Sequence, residues 1–322
     1  MARRELGPAS LAVVQAVAAA VTDADQRLLV ACSGGADSLA LAFAAERVAS
    51  RLGRAVGAVV VDHGLQPGSA DVAVRVRDRL RGLGLDPVRV VTVHIDRATR
   101  GGPESAARAA RYAALEAEAA AVSPPAAILL GHTLDDQAET VLLGLARGSG
   151  TRSLAGMAAR TGNLVRPLLG LRRRVTEQAC DELGLEPWTD PQNADRIFTR
   201  VRVRTSVLPA VEAELGPGIA EALARTAQLA RDDADLLDQL AVAADPGTDT
   251  LDCASLHELP AALRTRVIRR WLLRHGVPEP SAVHVRMVAA LVTAWRGQER
   301  VDLPRVRVIR QAGQLTIQPT DG

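Results

Sequence analysis

An α/β fold on a parallel, doubly wound sheet, followed by a smaller, mainly helical domain that ends in a short β-hairpin, is the architecture this sequence predicts. Three observations predict it. Short apolar runs alternate with longer helical patterns four times before residue 150, which is the signature of strands joined by crossover helices. A glycine-rich turn follows the first of these runs directly. Beyond Gly148 the alternation gives way to arginine-rich connections and helices.

The elements follow in order. Residues 11–21 follow Arg3 and Arg4 and imitate a secretion signal, but Glu5, Gln15 and the strand immediately behind them mark an amphipathic first helix. Residues 28–32 form a short apolar run and read as a buried strand, with a helix at 39–48. A second strand at 55–61 ends in Asp62-His63-Gly64, and a helix at 71–83 stops at Gly84. A third strand spans 88–95, and the alanine-rich stretch 103–122 is a long helix. The fourth strand, 128–130, leads into a helix at 134–145. Further helices lie around Gln178, Leu208 and Leu223. The helix-stopping run Glu214-Leu215-Gly216-Pro217-Gly218 places the boundary, giving domains 1–215 and 216–322. After a break at Asp245-Pro246-Gly247, residues 257–295 are helical. Alternating Val301, Leu303, Val306 and Val308 then lead to a hairpin around Gln311-Ala312-Gly313-Gln314.

Composition narrows the chemistry. With 322 residues, 48% hydrophobic and 2% aromatic, the core is built from Ala, Val, Leu and Ile. The net charge is +2, and all 39 basic residues are arginine. That excludes a phosphate-loop lysine and a Schiff-base lysine, and leaves guanidinium forks suited to phosphate. Cys32, Cys180 and Cys253 form no Cys-x-x-Cys pair, so neither a zinc site nor a redox pair is indicated, and the sparse count fits a reducing, cytoplasmic setting. No run reaches the length of a membrane span, so no membrane partner is expected.

The turn Ser33-Gly34-Gly35-Ala36-Asp37-Ser38 sits where parallel-sheet proteins bind ligands, at the carboxyl end of a strand. Its glycines let backbone amides approach a ligand, its serines add hydroxyls, and the helix behind it offers a positive end to phosphate. Asp37 beside a phosphate makes sense with a divalent cation between them. The turn lacks the lysine of a Walker loop and the third glycine of a dinucleotide turn. Farther along, Gly131-His132-Thr133-Leu134-Asp135-Asp136-Gln137-Ala138-Glu139-Thr140 puts Asp136 and Glu139 on one helix face beside His132. These carboxylates suit Mg²⁺ or an ammonium group, or simply the helix dipole. Arg108 and Arg111 share a face of the alanine-rich helix, where Glu104 also stands four residues before Arg108.

The six-residue turn resembles the pyrophosphate loop of the N-type ATP pyrophosphatases, which cleave ATP to AMP and pyrophosphate. Together with Val61-Asp62-His63-Gly64-Leu65, Pro103-Glu104-Ser105-Ala106-Ala107-Arg108-Ala109-Ala110-Arg111-Tyr112, the His132 stretch, Arg166-Pro167-Leu168-Leu169, Pro187-Trp188-Thr189-Asp190-Pro191-Gln192-Asn193 and Arg200-Val201-Arg202-Val203-Arg204, it resembles the tRNA(Ile)-lysidine synthetase family from about residue 28 to about residue 209. Val201 departs from that family, which usually carries Asn there.

The resemblance implies a PP-loop domain and an ATP-dependent ligase that joins L-lysine to carbon 2 of the wobble cytidine in the CAU anticodon of tRNA(Ile). ATP and Mg²⁺ are the implied cofactors, and a homodimer is the implied assembly. It assigns Ser33, Gly34, Gly35, Ala36, Asp37 and Ser38, with Asp62 and His63, to the nucleotide. It assigns Asp37, His132, Asp136, Glu139, Arg108 and Arg111 to catalysis, and Asp37, Asp136 and Glu139 to the metal, with Asp136 and Glu139 open to the substrate lysine instead. Arg172, Arg173, Arg174, Arg200, Arg202 and Arg204, and later Arg305, Arg307 and Arg310, are expected to face RNA phosphates. The rivals are another tRNA-modifying ATP pyrophosphatase and an ATP-binding module without chemistry. A sulfur-transferring member commonly needs paired cysteines, which are missing, and a bare module leaves His132, Asp136, Glu139 and the arginines without a purpose.

Overall fold

The computed structural model describes residues 5–64, 68–93, 102–148, 150–297 and 300–320, without the side chains of residues 102–105 and 192–193. Leu65, Ser149, the end of the third expected strand past Val93 and the Glu104 side chain lie outside the described residues.

Two compact units make up the chain. The first holds residues 1–147 and 156–227, the second 148–155 and 228–322. The first unit opens with α1 (Pro8–Ala20), β1 (Arg27–Ala31), α2 (Ala36–Leu52), β2 (Ala55–Asp62), α3 (Ser69–Gly82), β3 (Val88–Thr92), α4 (Gly102–Ala120), β4 (Ala127–Leu130) and α5 (Leu134–Ala146). After the short α6 (Thr151–Leu154), which belongs to the second unit, come β5 (Arg160–Thr161), β6 (Leu164–Val165), α7 (Arg173–Leu183), α8 (Thr199–Arg202) and α9 (Leu208–Leu215).

The sheet order is β3-β2-β1-β4-β6-β5. β1 pairs in parallel with β2 and β4, with Val30 opposite Ala58 and Leu129, and only β5 runs antiparallel, against β6. The order reverses at β1, so the crevice beyond its carboxyl end is the switch point at which such sheets bind ligands. Alternation along β1 buries both of its faces. Leu28 and Val30 pack into a cluster with residues of α1, α2, α3 and α7, whereas Leu29 and Ala31 pack with Leu115 and Ala119 of α4.

The sequence places the end of the alternation near Gly148, yet β6 extends the parallel sheet beyond it. Strands of two residues carry no readable period, which is why the pattern misses them. The helices cover α1 to α5 as expected, with ends shifted by up to four residues. α1 is held at its start by a distant carboxylate: Glu182 of α7 accepts from the amides of Ala9 (3.0 Å) and Ser10 (2.7 Å). From α8 the chain passes without a break through a π-helical turn, Val203–Val207, into α9.

α10 (Ile219–Ala244) leads into the second unit, which contains β7 (Leu251–Asp252), α11 (Cys253–Glu258), α12 (Ala261–Arg274), α13 (Ala282–Thr293), β8 (Arg300–Leu303), β9 (Val306–Gln311) and β10 (Gln314–Pro319). The hairpin expected at residues 311–314 is present as the β9–β10 turn, but it sits inside a four-stranded antiparallel sheet, order β7-β10-β9-β8. Its core surrounds the buried Trp271, whose Nε1 donates to the Asp249 carbonyl (3.0 Å). The arginines of this hairpin are partly engaged: Arg307 donates to Asp302 (2.7 Å), and Arg310 lies over the Trp295 ring (4.4 Å) while donating to the Leu291 carbonyl.

The turn residues Ala312 and Gly313 both have positive φ, 48° and 78°. That is the two-residue hairpin turn that favours Asn-Gly, and an alanine there is strained. Ala312→Asn is therefore expected to stabilise the protein by about 0.5–1 kcal/mol, read as a rise in the denaturant midpoint with unchanged slope.

Candidate functional site

The turn after β1 is shaped by close approach. Gly34 has φ 88°, and a Cβ there would stand 2.5 Å from Val76 Cγ2 of α3. Its carbonyl accepts from the Trp188 amide (2.9 Å), so the 187–190 segment is tied to the turn. Ser38 buckles the loop from inside: it is buried, its Oγ accepts from the Ser33 amide (3.2 Å) and donates to the Gly35 carbonyl (2.9 Å), and it lies 3.4 Å from Cys32 Sγ. Ser33 is exposed at the mouth. The amides of Ala36 and Asp37 begin α2 and by position have no acceptor inside the helix, so they are free to bind an anion. Gly131, at the end of β4, lets that strand approach; a Cβ there would stand 3.2 Å from three backbone atoms of Asp37 and Ser38.

A cavity of about 310 Å³ opens beside this turn. Its wall includes Ser33 and Gly35, Val59 to Gly64 of β2 and its exit, Val72, Ala73 and Val76 of α3, and Arg111, Trp188 and Asp190. Apolar walls with a few convergent polar groups are what a nucleoside site requires. Asp62 and His63 both line it. Asp62 Oδ1 accepts from the Gly64 amide (2.9 Å) and so holds the turn, whereas His63 has its Nδ1 buried without a partner. Burial and then the charge of Arg111 lower the tendency of His63 to protonate, against Asp62 and Asp190.

Asp37, Asp136 and Glu139 converge on a single guanidinium. Arg173 Nε donates to Asp37 Oδ2 (3.1 Å), its Nη2 to Asp136 Oδ1 (2.9 Å), and its Nη1 stands 3.6 Å from Glu139 Oε1. Arg204, in the π-helical turn, grips Glu139 with two nitrogens (2.6 and 3.1 Å) and reaches Asp136 (3.3 Å). Arg200 is 3.3 Å from the other oxygen of Glu139 and donates to Thr140 Oγ1 (2.8 Å). Thr176 donates to Asp37 Oδ1. Asp136 Oδ2 closes a capping box at the start of α5, accepting from the Thr133 amide (2.9 Å) and hydroxyl (3.0 Å). Glu139 has no solvent exposure in its side chain.

The electrostatics follow. Burial pushes the Asp136 carboxyl up, but Arg173, the Thr133 amide and Arg204 outweigh it and bring it down to about 2. At Asp37 burial wins over Arg173 and Thr176, and the carboxyl is raised. Arg173 is raised by its three carboxylates in spite of its own burial. The carboxylates expected to bind metal thus hold arginine, and among the described residues no cluster of acidic, His and Cys side chains is arranged for a metal. The donor set of Asp136 and Glu139 fits a cation bearing N–H groups. Asp37 borders the free amides of α2, and a single carboxylate there suits Mg²⁺, which takes most of its ligands from water and phosphate.

The same contacts engage most of the basic run that was expected to face RNA. Arg172 is spent on Asp135 (3.1 Å) and Glu221 (2.9 Å), Arg173, Arg200 and Arg204 on the three carboxylates, and Arg202 on the carbonyls of Arg196 and Ile197. Arg174 is exposed. Sequence reasoning did not single out Thr176, named Arg166 only as part of a motif, and expected Arg173 and Arg204 at RNA rather than at these carboxylates. On the other side of the sheet exit, Arg108 donates to the Tyr112 hydroxyl (3.1 Å), Arg111 lines the cavity, and His132 is half-buried with Nδ1 unpartnered.

Comparison with known proteins places this geometry. A PP-loop domain family matches residues 10–211, and a TilS substrate binding domain matches residues 251–316. A curated tRNA(Ile)-lysidine synthase of Thermobifida fusca is 56% identical over 320 residues, covering 96% of this chain and 98% of its own. The chain belongs to the tRNA(Ile)-lysidine synthase family. The relative from Leifsonia xyli subsp. xyli is 54% identical over 300 residues (91% and 90% of the two chains), and that from Streptomyces coelicolor 55% over 300 (90% and 84%). Among solved structures, a U34-tRNA thiolase from Methanococcus maripaludis has the same fold, with a TM-score of 0.58 at 16% identity, covering 70% of this chain and 80% of that one. Val201, where the synthase family was expected to carry Asn, is a buried residue of α8, between the exposed Arg202 and the bound Arg200. Among the described residues no helix is long and apolar enough to cross a membrane.

Two outcomes test this electrostatic arrangement. Glu139→Gln removes the fully enclosed member and leaves three partly exposed guanidinium groups short of an anion; it is expected to cost about 2–3 kcal/mol in urea unfolding. His132 is pushed down to about 3, by burial first and then by Arg111, Arg166 and Arg108 against Asp136. Its folded form is neutral while the unfolded chain takes a proton below about 6.5. Stability from this group is therefore complete above about pH 6.5 and falls as pH drops towards 3. In ¹H–¹⁵N spectra its imidazole is expected to stay neutral from pH 8 to pH 5.

Proposed function

We propose that this protein ligates L-lysine to carbon 2 of the wobble cytidine in the CAU anticodon of tRNA(Ile), consuming ATP and releasing AMP and pyrophosphate. The observation that carries the reading is the loop Ser33–Ser38: Ser33 and Gly35, just before the free amides of α2, line the nucleoside-sized cavity, in a chain 56% identical to a tRNA(Ile)-lysidine synthase over 96% of its length.

In the first step the carbonyl oxygen on carbon 2 attacks the α-phosphorus of ATP. An oxygen–phosphorus bond forms, the bond to the β-phosphate oxygen breaks, and pyrophosphate leaves with the electron pair. In the second, the ε-amine of lysine adds at carbon 2, the carbon–oxygen bond breaks, AMP departs, and the amine loses a proton. The protein's part is positioning and charge stabilisation. The loop amides and Ser33 hold the phosphate tail, Ser38 keeps the loop closed, and Val59 to His63 with α3 enclose the nucleoside. Asp37 would hold Mg²⁺, which neutralises phosphate charge when bound. Arg108, Arg111 and His132 face the transferred group.

Asp136 and Glu139 take the ammonium of the substrate lysine. The support is that a guanidinium, another cation rich in N–H donors, already satisfies these oxygens. The second unit, with its substrate binding domain match, holds the tRNA body; homodimer formation is part of the same reading. A sulfur-transfer reading has less support, because Cys32, Cys180 and Cys253 are all buried free thiols, and burial raises each of them.

The test is incubation with ATP, Mg²⁺, radiolabelled lysine and a tRNA(Ile) transcript bearing CAU. Lysine is expected in the tRNA with matching AMP and pyrophosphate, and none when the wobble cytidine is replaced by uridine. ADP and phosphate as products, or AMP and pyrophosphate formed with no lysine incorporated, would overturn the reading.

A further inference from the structure

The N-cap residue of α7 is Arg172, whose side chain makes no capping bond and has no acceptor to offer. The first amides of a helix need an acceptor from elsewhere, and here another helix supplies it. Asp135 Oδ2 on α5 accepts from the Arg173 amide (2.7 Å), and Asp135 Oδ1 accepts from Arg172 Nε (3.1 Å), with Nη2 at the same distance. The reverse bond is present too: the amide of Leu134, first in α5, donates to the Leu171 carbonyl just ahead of α7 (2.8 Å). The two helix starts are thus laced together at successive residues, 134 to 171 and 135 to 172 and 173. Arg172 extends the lacing by donating from Nη1 to Glu221 at the start of α10 (2.9 Å).

The residue whose amide Asp135 holds is the one whose head reaches Asp136 (2.9 Å) and Glu139 (3.6 Å). We infer that Asp135 is a positioning residue: by fixing the first amide of α7 against α5 it sets where the Arg173 guanidinium stands, and so how the substrate lysine is received at Asp136 and Glu139. This rests on the reaction proposed above, with the ammonium at those two carboxylates. Asp136 Oδ2 is committed to the Thr133 amide and hydroxyl. An ammonium must therefore use Oδ1, the atom that Arg173 also holds. Two cations sharing one oxygen leave little tolerance, and a misplacement of about 1 Å at such a point costs up to about 100-fold. The loop after β1 has fastenings of its own, Ser38 within it and the Trp188 amide on Gly34. Asp135 accordingly bears on lysine rather than on the nucleotide.

The test uses the whole enzyme with Asp135→Asn. The amide matches the carboxylate in size and can accept one of its bonds, but its NH₂ then faces a donor at the other. The lysine KM is expected to rise about tenfold, with the ATP KM within about twofold of wild type. Because Asp135 acts through Arg173, adding Asp135→Asn to Arg173→Gln is expected to cost nothing further in kcat/KM for lysine. An unchanged lysine KM, an equal rise in both KM values, or a double variant in which the two losses multiply would overturn the inference.

Wild-type protein supplies a second measurement if the variants do not fold. First-turn amides of a helix ordinarily exchange their hydrogens readily, having no partner inside it. The Arg173 amide, held by Asp135, is expected to exchange on the order of 100-fold more slowly than an open amide. Exchange at the open rate sinks the inference. A wild-type enzyme that incorporates no lysine bears on the reaction alone, because exchange is read without tRNA, ATP or lysine.

Discussion

One guanidinium joins three carboxylates at the carboxyl end of the parallel sheet. Arg173 opens α7, and its planar head touches Asp37 at the start of α2 and Asp136 and Glu139 on the first two turns of α5. α2 and α5 begin after β1 and β4, neighbouring strands of the sheet, so their positive ends face the same crevice. Three carboxylates drawn together there repel one another. Without arginine among them the loop after β1 and the helix after β4 would be pushed apart. A lysine would supply the charge but not the fork that lets one side chain bind three anions in fixed directions.

That brace divides the crevice by charge. On the α5 and α7 side, acid and arginine cancel, and the helices lie close. On the α4 side the positive charge is left over, and it is there that His132 is kept neutral by burial and by its cationic neighbours. A phosphate-handling site gains from this division. Anions are drawn to the wall where positive charge is left over, and Arg111 of that wall also lines the cavity beside β2 and α3.

The sequence carried the sheet as far as α5 because each strand there is long enough to show an apolar run and each crossover helix long enough to show its period. β5 and β6, two residues each, show neither. The loop after β1 was legible because its residue types are constrained locally: Gly34 by φ and by Val76, Gly131 by the backbone it meets. The carboxylates at 136 and 139 were legible as a helix pair, but their arginine partners were not. Arg173 and Arg204 lie 37 and 65 residues from the acids they bind, and nothing local distinguishes them from Arg174 or Arg202. Ser38 shows the opposite case, a residue whose type pointed to phosphate and whose hydroxyl is engaged inside the loop.

The absence of lysine from the chain acquires a meaning at this corner. If Asp136 and Glu139 receive an ammonium group, an internal lysine within reach would be a competitor of the substrate's own chemistry, matched in charge, size and hydration. Arginine is a poorer mimic. Its flat, broad head satisfies the carboxylates from the side, as Arg204 does at Glu139, and it is anchored to a helix rather than free to enter the pocket. Its charge is also permanent across any accessible pH, whereas a buried lysine would shed its proton and leave the acids unpaired. Arginine thus keeps these acids neutralised at every accessible pH, which a lysine in its place would not do.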